Sequence, residues 1–276
     1  EVFRHAKHGN NISDSRNAMF LPAVQQAVIP RLASPDSRLR QDALECLALF
    51  CLLDGSGEQA QRHLPLFVQA CRNDNNDIQR LAIKSLVDFL LIFELESKQK
   101  KESLESDSTL SVSDEAEVQP EESPDDSSDE FFSATGSPGD MSKSNVLSDG
   151  INQFKLVSSP EQIVALLDEY ITNVDETLRS VAAKGLARLL FTRRVAPTPK
   201  LLTRLVLVYF DPVNEDNDAL RQSLSVFFPA FALSSPQHRI SLETAFLPAL
   251  RVLLDAPKTS PLRSVSPILV AQYVLH

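Results

Sequence analysis

A short phrase that returns along the chain constrains the fold most. Five times, Leu or Ile followed by Arg or Gln opens an apolar helical pattern, in LRQDALECL, IQRLAIKSL, LRSVAAKGL, LRQSLSVFF and LRSVSPILV. If Ala43, Ala82, Ala182, Leu224 and Ser266 are equivalent, successive copies are 39, 100, 42 and 42 residues apart. The long step equals one period plus about 60 residues, so the pattern predicts units of about 40 residues with one interruption.

Each copy follows another apolar stretch with helical spacing, so every unit is predicted to hold two helices. Ser-Pro or Thr-Pro pairs mark the helix starts, because a hydroxyl caps the first turn and a proline there loses no hydrogen bond. These pairs occupy 34–35, 159–160, 198–199 and 235–236. A period near 40 with two helices per unit is typical of HEAT and armadillo arrays. We therefore predict an all-α fold, a HEAT-repeat α-solenoid of about five helix pairs.

A serine-rich acidic segment separates two helical blocks. Residues 97–150 carry 14 acids against 4 lysines, which accounts for the whole formal net charge of −10. This segment has too few apolar residues to offset the entropy of ordering. The predicted organisation is a first block of HEAT repeats over 1–96, a long disordered acidic insert over 97–157 and a C-terminal block over 158–276.

Two serines of the insert are candidate phosphorylation sites. Ser123 and Ser137 each precede a proline in chain predicted to be accessible. A phosphate would add roughly −1.5 to −2 charge, and we expect it to regulate the protein through that added negative charge. An unregulated spacer is the alternative. Alanine substitution of both serines is expected to alter the behaviour of the protein in cells, and unaltered behaviour would refute the regulatory interpretation.

Composition limits the compartment and the class of protein. No apolar run reaches the ~20 residues of a membrane span, so we expect a soluble protein. The chain starts with Glu1 and stops within an apolar helical pattern, which predicts a piece of a longer protein. Cys46, Cys51 and Cys71 lie in helical patterns and are predicted to be buried packing residues in a reducing compartment.

The repeated phrase has a structural and a functional interpretation. Its apolar residue is predicted to begin the buried face of the second helix of each unit, at Leu39, Ile78, Leu178, Leu220 and Leu262. The neighbouring arginines have acids three or four residues earlier: Asp36 precedes Arg40, Asp175 precedes Arg179, and Asp218 precedes Arg221. The sequence favours a structural ladder between repeats over ligand contacts for these arginines.

Catalysis is not expected. The sequence has no GxxxxGK[ST] phosphate loop and no GxSxG nucleophile elbow. His5 and His8 share a face, but no Cys or carboxylate accompanies them at metal-ligand spacing. We therefore predict no enzyme activity, no metal, no cofactor and no small-molecule substrate.

One stretch has the charge that a polyanionic partner would require. Residues 177–210 contain no acid and seven bases, which could contact the phosphates of a nucleic acid without reading its sequence. The alternative is that these bases complement helix C-termini and cover apolar surface. The candidate DNA-phosphate-binding residues are Arg179, Lys184, Arg188, Arg193, Arg194, Lys200 and Arg204.

Two segments carry a resemblance to a known family. The run AAKGLARLLFTRRVAPTPKLLTRLVLVYFDPVNEDNDALRQSLSVFFPAFA at 182–232, followed by AFLPALRVLLDAPKTSPLRSV at 245–265, closely resembles the C-terminal region of the condensin HEAT-repeat subunit of the G type, condensin subunit 3. LECLALFCLLDG at 44–55 is similar to the same family. The acidic insert takes no part in this resemblance.

The resemblance implies a non-enzymatic regulatory subunit of the condensin complex. Such a subunit binds the kleisin chain, is linked through it to two SMC ATPases, and helps to hold double-stranded DNA during mitotic chromosome condensation. It implies a location in the nucleus and on chromosomes, with a cytoplasmic location in interphase also allowed, and no membrane partner. The alternative is a generic HEAT-repeat scaffold such as a nuclear transport receptor or a phosphatase scaffold.

Overall fold

Helices account for the regular structure of the described part of the chain. The computed structural model describes residues 19–93, 95 and 159–275. Residues 19–33 are helical, with a π turn at Val24–Val28 and a 3-10 turn at Ile29–Ala33. The α-helices that follow are α1 (Ser37–Leu53), α2 (Glu58–Asn73), α3 (Asn76–Ile92), α4 (Pro160–Tyr170), α5 (Glu176–Phe191), α6 (Pro199–Phe210), α7 (Asp218–Ser234), α8 (Pro236–Leu254) and α9 (Pro267–Leu275).

The described ranges contain no strand, which confirms the predicted fold class. Two 3-10 turns, Pro212–Asn214 and Pro261–Ser264, interrupt the second block. No helix within these ranges has the length and apolar character to cross a membrane. The predicted insert at 97–157 lies outside the described residues, and its boundaries stay a prediction.

Three of the four predicted Ser/Thr-Pro helix starts are correct. Ser159 forms a capping box with Gln162, Thr198 accepts a hydrogen bond from the Leu201 N–H, and Ser235 accepts one from the His238 N–H. The prediction is wrong at Ser34, since α1 begins at Ser37 and the Asp36 carboxylate caps it. Ser34 Oγ instead accepts a hydrogen bond from the Asp36 N–H at 3.2 Å, which orders the turn before the helix.

The apolar face predicted from the repeated phrase is buried in the middle of the array and not at its ends. Ile78, Leu178 and Leu220 are 0–1% exposed. Leu39, in contrast, is 43% exposed. Helix α1 packs on α2 and α3 and on the irregular turns of residues 24–33. Leu262 is half-buried in the 3-10 turn Pro261–Ser264, and α9 begins five residues later at Pro267.

The two helical blocks share one core. Helix α3, the last before the acidic segment, packs on α5, the second after it. Asn76 Nδ2 donates to Asp175 Oδ2 at 2.7 Å, and the Tyr170 hydroxyl donates to the Cys71 carbonyl across the same junction. Gly185 permits the close approach, because a Cβ at that position would lie 2.6 Å from Val87 Cγ2.

Two of the three cysteines are buried, as predicted. Burial raises the pKa of the Cys51 and Cys71 thiols to about 12, so both stay protonated at neutral pH. Cys46 lies on the exposed side of α1, and its predicted burial is wrong. The apolar pattern correctly placed all three cysteines in helices, but it did not show that Cys46 lies on the solvent side of its helix.

Gly185→Ala is expected to destabilise the protein by about 1–3 kcal/mol, because the added methyl overpacks the α3–α5 contact at Val87. Helix propensity alone would favour alanine by ~1 kcal/mol, so the sign of the change in the free energy of unfolding separates the packing effect from the propensity effect. The measurement is urea unfolding. Val87→Ala should remove the overlap, so the double variant should be more stable than the sum of the single losses predicts. A Gly185→Ala protein as stable as the wild type would contradict this packing.

Candidate nucleic-acid interface

Arg179 is a structural residue and does not belong to an exposed basic surface. It is 8% exposed and lies near the start of α5. Its Nε donates to Asn214 Oδ1 at 2.8 Å, and its Nη1 donates to the Asn173 carbonyl at 2.7 Å. Asn214 is itself fully buried, and its Nδ2 donates to the Val208 carbonyl. Because the guanidinium is buried in these bonds, we remove Arg179 from the candidate phosphate-binding residues.

Arg40 holds the equivalent position in the first block. Its Nε and Nη2 donate to the two carboxylate oxygens of Asp74 at 2.9 and 2.7 Å, and its Nη1 donates to the Ser34 carbonyl at 2.8 Å. The Arg40 hydrogen bond holds the pKa of the Asp74 carboxyl below its ordinary value. Each arginine therefore joins the turn before its own helix to a side chain 34 or 35 residues later.

The structural ladder is confirmed for these two arginines, but its predicted partners are wrong. Asp36 and Asp175 lie four residues before Arg40 and Arg179, yet their carboxylates cap α1 and α5. Asp175 Oδ1 accepts hydrogen bonds from the Thr177 hydroxyl and the Leu178 N–H, and these bonds lower its pKa. Each of these arginines is followed about one repeat later by its true partner, Asp74 or Asn214. That recurring spacing is the sequence signal that could have identified the partners.

The last two copies of the phrase depart from this ladder. The Arg221 side chain is exposed and forms no ion pair or hydrogen bond with another described residue, so its predicted pairing with Asp218 is wrong. Arg263 donates to the Leu254 carbonyl at 2.9 Å in an exposed position. The ladder is therefore formed by the first and third copies of the phrase and not by the last two.

The turn after α5 exposes two adjacent arginines. Arg193 and Arg194 are exposed, and Arg193 has φ 60°, the only positive φ of a non-glycine residue in the described ranges. The N–H groups of Arg193 and Arg194 donate to the Leu190 and Leu189 carbonyls at 3.1 and 3.0 Å. This hydrogen-bonded turn usually contains glycine at the left-handed position. An arginine there carries a backbone cost of roughly 1–2 kcal/mol.

The last two turns of α5 add two cations beside this corner. The Arg188 side chain is 64% exposed, and its Nη1 lies 3.7 Å from Asp88 Oδ1 on α3. An exposed pair of this kind is worth at most ~1 kcal/mol, so water and salt compete with it readily. Lys184 is half-buried and forms no ion pair with a described residue.

Lys200 and Arg204 on α6 both lie beside a buried acid that the sequence window did not contain. Arg204 Nη1 is 2.7 Å from Asp168 Oδ1 on α4 and donates to the Asp168 carbonyl at 2.9 Å. Lys200 Nζ lies 3.4 Å from Asp168 Oδ2. The stretch that is free of acids in sequence is therefore not free of them in space.

The remaining candidate sites give no further chemistry among the described residues. No group of three or more His, Cys, Asp or Glu in residues 19–93 and 159–275 could hold a metal ion. His5 and His8 lie outside the described residues, as do Ser123 and Ser137, so phosphorylation of these serines stays a prediction.

We define the corner surface as Lys184, Arg188, Arg193 and Arg194, and the α6 pair as Lys200 and Arg204.

Comparisons with known proteins agree on one family. Residues 10–276 match the family described as nuclear condensing complex subunits, C-term domain. The chain is 26% identical over 275 residues to condensin complex subunit 3 of Xenopus laevis, with 100% of this chain and 24% of that protein covered. It is 27% identical over 267 residues to the Homo sapiens protein of the same name, with 96% and 23% covered.

A solved structure has a similar fold. The crystal structure of the S. pombe condensin Cnd3-Cnd2 subcomplex matches with a TM-score of 0.63 and 23% identity, over 95% of this chain and 27% of that chain. At this identity the likeness concerns the fold, and it confirms the predicted helical solenoid. The chain spans about a quarter of the length of the curated relatives it matches.

Arg179→Met is expected to destabilise the protein by about 3 kcal/mol, because it leaves the buried Asn214 amide oxygen and backbone carbonyls without a donor. Arg221→Met is the matched control, since it occupies the equivalent position of another copy and is exposed. It should change the free energy of unfolding by less than about 0.5 kcal/mol. Chemical denaturation measures both, and equal losses would contradict the structural role of Arg179.

Proposed function

The chain belongs to the family of nuclear condensing complex subunits, C-terminal domain, and on this basis we propose that it is part of a regulatory, non-enzymatic subunit of the condensin complex. The relatives named condensin complex subunit 3 support this role across nearly the whole chain. The predicted resemblance to that family is confirmed. The proposed cellular role is mitotic chromosome condensation, in the nucleus and on chromosomes.

The proposed protein partner is the kleisin subunit of condensin, which links this subunit to the SMC ATPases. The similar crystal structure is, by its title, a subcomplex of two condensin subunits, and this supports an assembly role for the fold. Stacked helix pairs expose long continuous surfaces, which suit an extended protein chain better than a small molecule.

The second proposed partner is double-stranded DNA, bound through its phosphates. The observation that carries this proposal is the corner surface, where Arg188, Arg193 and Arg194 are exposed around the end of α5. The hydrogen-bonded turn fixes the backbone of two of these arginines, which lowers the entropy lost when they meet a phosphate. Such contacts are independent of base sequence and sensitive to salt.

The intact protein is expected to be captured by a condensin kleisin fragment and, in that complex, to bind duplex DNA with strong salt dependence. A triple variant with Lys184→Gln, Arg188→Gln and Arg193→Gly should bind duplex DNA more weakly. Its negative slope of log affinity against log salt should become shallower by about 0.9 for each lost phosphate contact. Glycine suits the left-handed backbone at 193, so the charge is removed without strain. Fluorescence anisotropy with a labelled duplex measures the slope.

Arg221→Gln is the control, because it removes one exposed positive charge that does not belong to the corner surface. It should leave the slope within error of the wild type. Failure of the kleisin fragment to capture the intact protein would favour the scaffold alternative. Unchanged affinity of the triple variant, with kleisin still bound, would remove the corner surface from the DNA path.

A further inference from the structure

We infer that Asp168 withholds the α6 pair, Lys200 and Arg204, from phosphate and so limits how many cations this surface offers to DNA. The inference rests on the proposed function and divides its basic surface into two parts. The corner surface contacts phosphate, whereas the α6 pair is held by a single carboxylate that cancels one of its two positive charges. Asp168 is thus a positioning residue that sets the strength of nonspecific DNA binding.

Asp168 is buried, which makes its charge dependent on its partners. It is 8% exposed and lies near the end of α4. A buried carboxylate without a cation is strongly unfavourable, so the carboxylate competes effectively for nearby basic groups. The two closest cations come from α6, at 2.7 Å for Arg204 and 3.4 Å for Lys200.

Arg204 is held at two points of the same residue. Its Nη1 contacts both the carboxylate and the backbone carbonyl of Asp168, and its side chain is only 33% exposed. A phosphate that recruited this guanidinium would have to leave the buried carboxylate with Lys200 alone. The geometry therefore assigns Arg204 to the α4–α6 contact.

Lys200 is more exposed, at 70%, yet its position also favours the carboxylate. It lies in the first turn of α6, where the N–H groups of the helix give a positive partial charge that opposes a cation. The Asp168 carboxylate beside this end attracts the lysine and offsets the unfavourable field of the helix terminus. Lys200 is thus drawn to Asp168 even though solvent reaches it.

The pair formed by Arg188 differs in each of these respects. Asp88 and Arg188 have side chains 41% and 64% exposed, and their charged atoms are 3.7 Å apart. A phosphate can replace such a carboxylate without leaving a buried charge, because Asp88 returns to water. Arg188 is therefore more readily available to DNA than the α6 pair.

The test uses the intact protein bound to kleisin, with a labelled 30-base-pair duplex in anisotropy titrations between 50 and 200 mM salt. Asp168→Asn keeps the shape of the side chain and removes its charge. Its affinity should rise, and its salt slope should steepen by about 0.9 for each released cation, which corresponds to a roughly threefold larger loss of affinity across that salt range per cation. A merely structural role of Asp168 would not steepen the slope.

Lys200→Gln completes a double-variant cycle. In the wild-type background it should change affinity by less than about twofold, because the lysine is already paired with Asp168. In the Asp168→Asn background, Lys200→Gln should make the loss of affinity between 50 and 200 mM salt roughly threefold smaller, because one phosphate contact is removed. Equal effects of Lys200→Gln in the two backgrounds would overturn the inference, as would an unchanged slope for Asp168→Asn.

Two further measurements keep the result decisive. Thermal unfolding establishes that Asp168→Asn is folded; if it is not, Lys200→Gln is compared with Arg188→Gln in the wild type, and equal losses of affinity overturn the inference. The triple variant of the corner surface separates the two proposals. If it binds normally, the proposed DNA contact fails together with the inference, whereas weakened binding with an unchanged Asp168→Asn slope overturns the inference alone.

Discussion

Burial of an apolar face between successive helix pairs is the constraint on which the rest of the structure depends. A single pair of helices cannot cover its own apolar side, so each unit needs its neighbour. The contact of α3 with α5 shows how strictly this applies, because Gly185 leaves no space for even a methyl group beside Val87. The core continues from one block to the next, and the acidic segment interrupts the sequence without dividing that core.

The ladder arginines, Arg179 buried and Arg40 half-buried, follow from this stacking. Arg40 and Arg179 each satisfy carbonyls at the end of one turn and a side chain from the next repeat, so a charge near the core is never left without partners. Arg221 has the same place in the repeated phrase and is exposed. Identical short phrases thus have different roles, because the residue one repeat later decides whether a partner exists.

The basic surface was predictable only in part. A window of seven bases without acids pointed to the turn between α5 and α6, and Arg188, Arg193 and Arg194 are exposed there. Arg179 in the same window is buried, while Lys200 and Arg204 meet Asp168. Asp168 precedes Arg204 by 36 residues, close to one repeat, so an analysis of local charge could not include it.

Sequence alone determined the helical class, the repeat near 40 residues and the family, because apolar periodicity and a specific motif are local properties of the chain. It also placed the starts of α4, α6 and α8, since a capping hydroxyl acts within one turn. Only the tertiary structure decided which arginines are buried, which acids face the cations and where the ladder stops. Those outcomes depend on distances between residues about one repeat apart, and Coulomb energy follows distance in space and not separation along the chain.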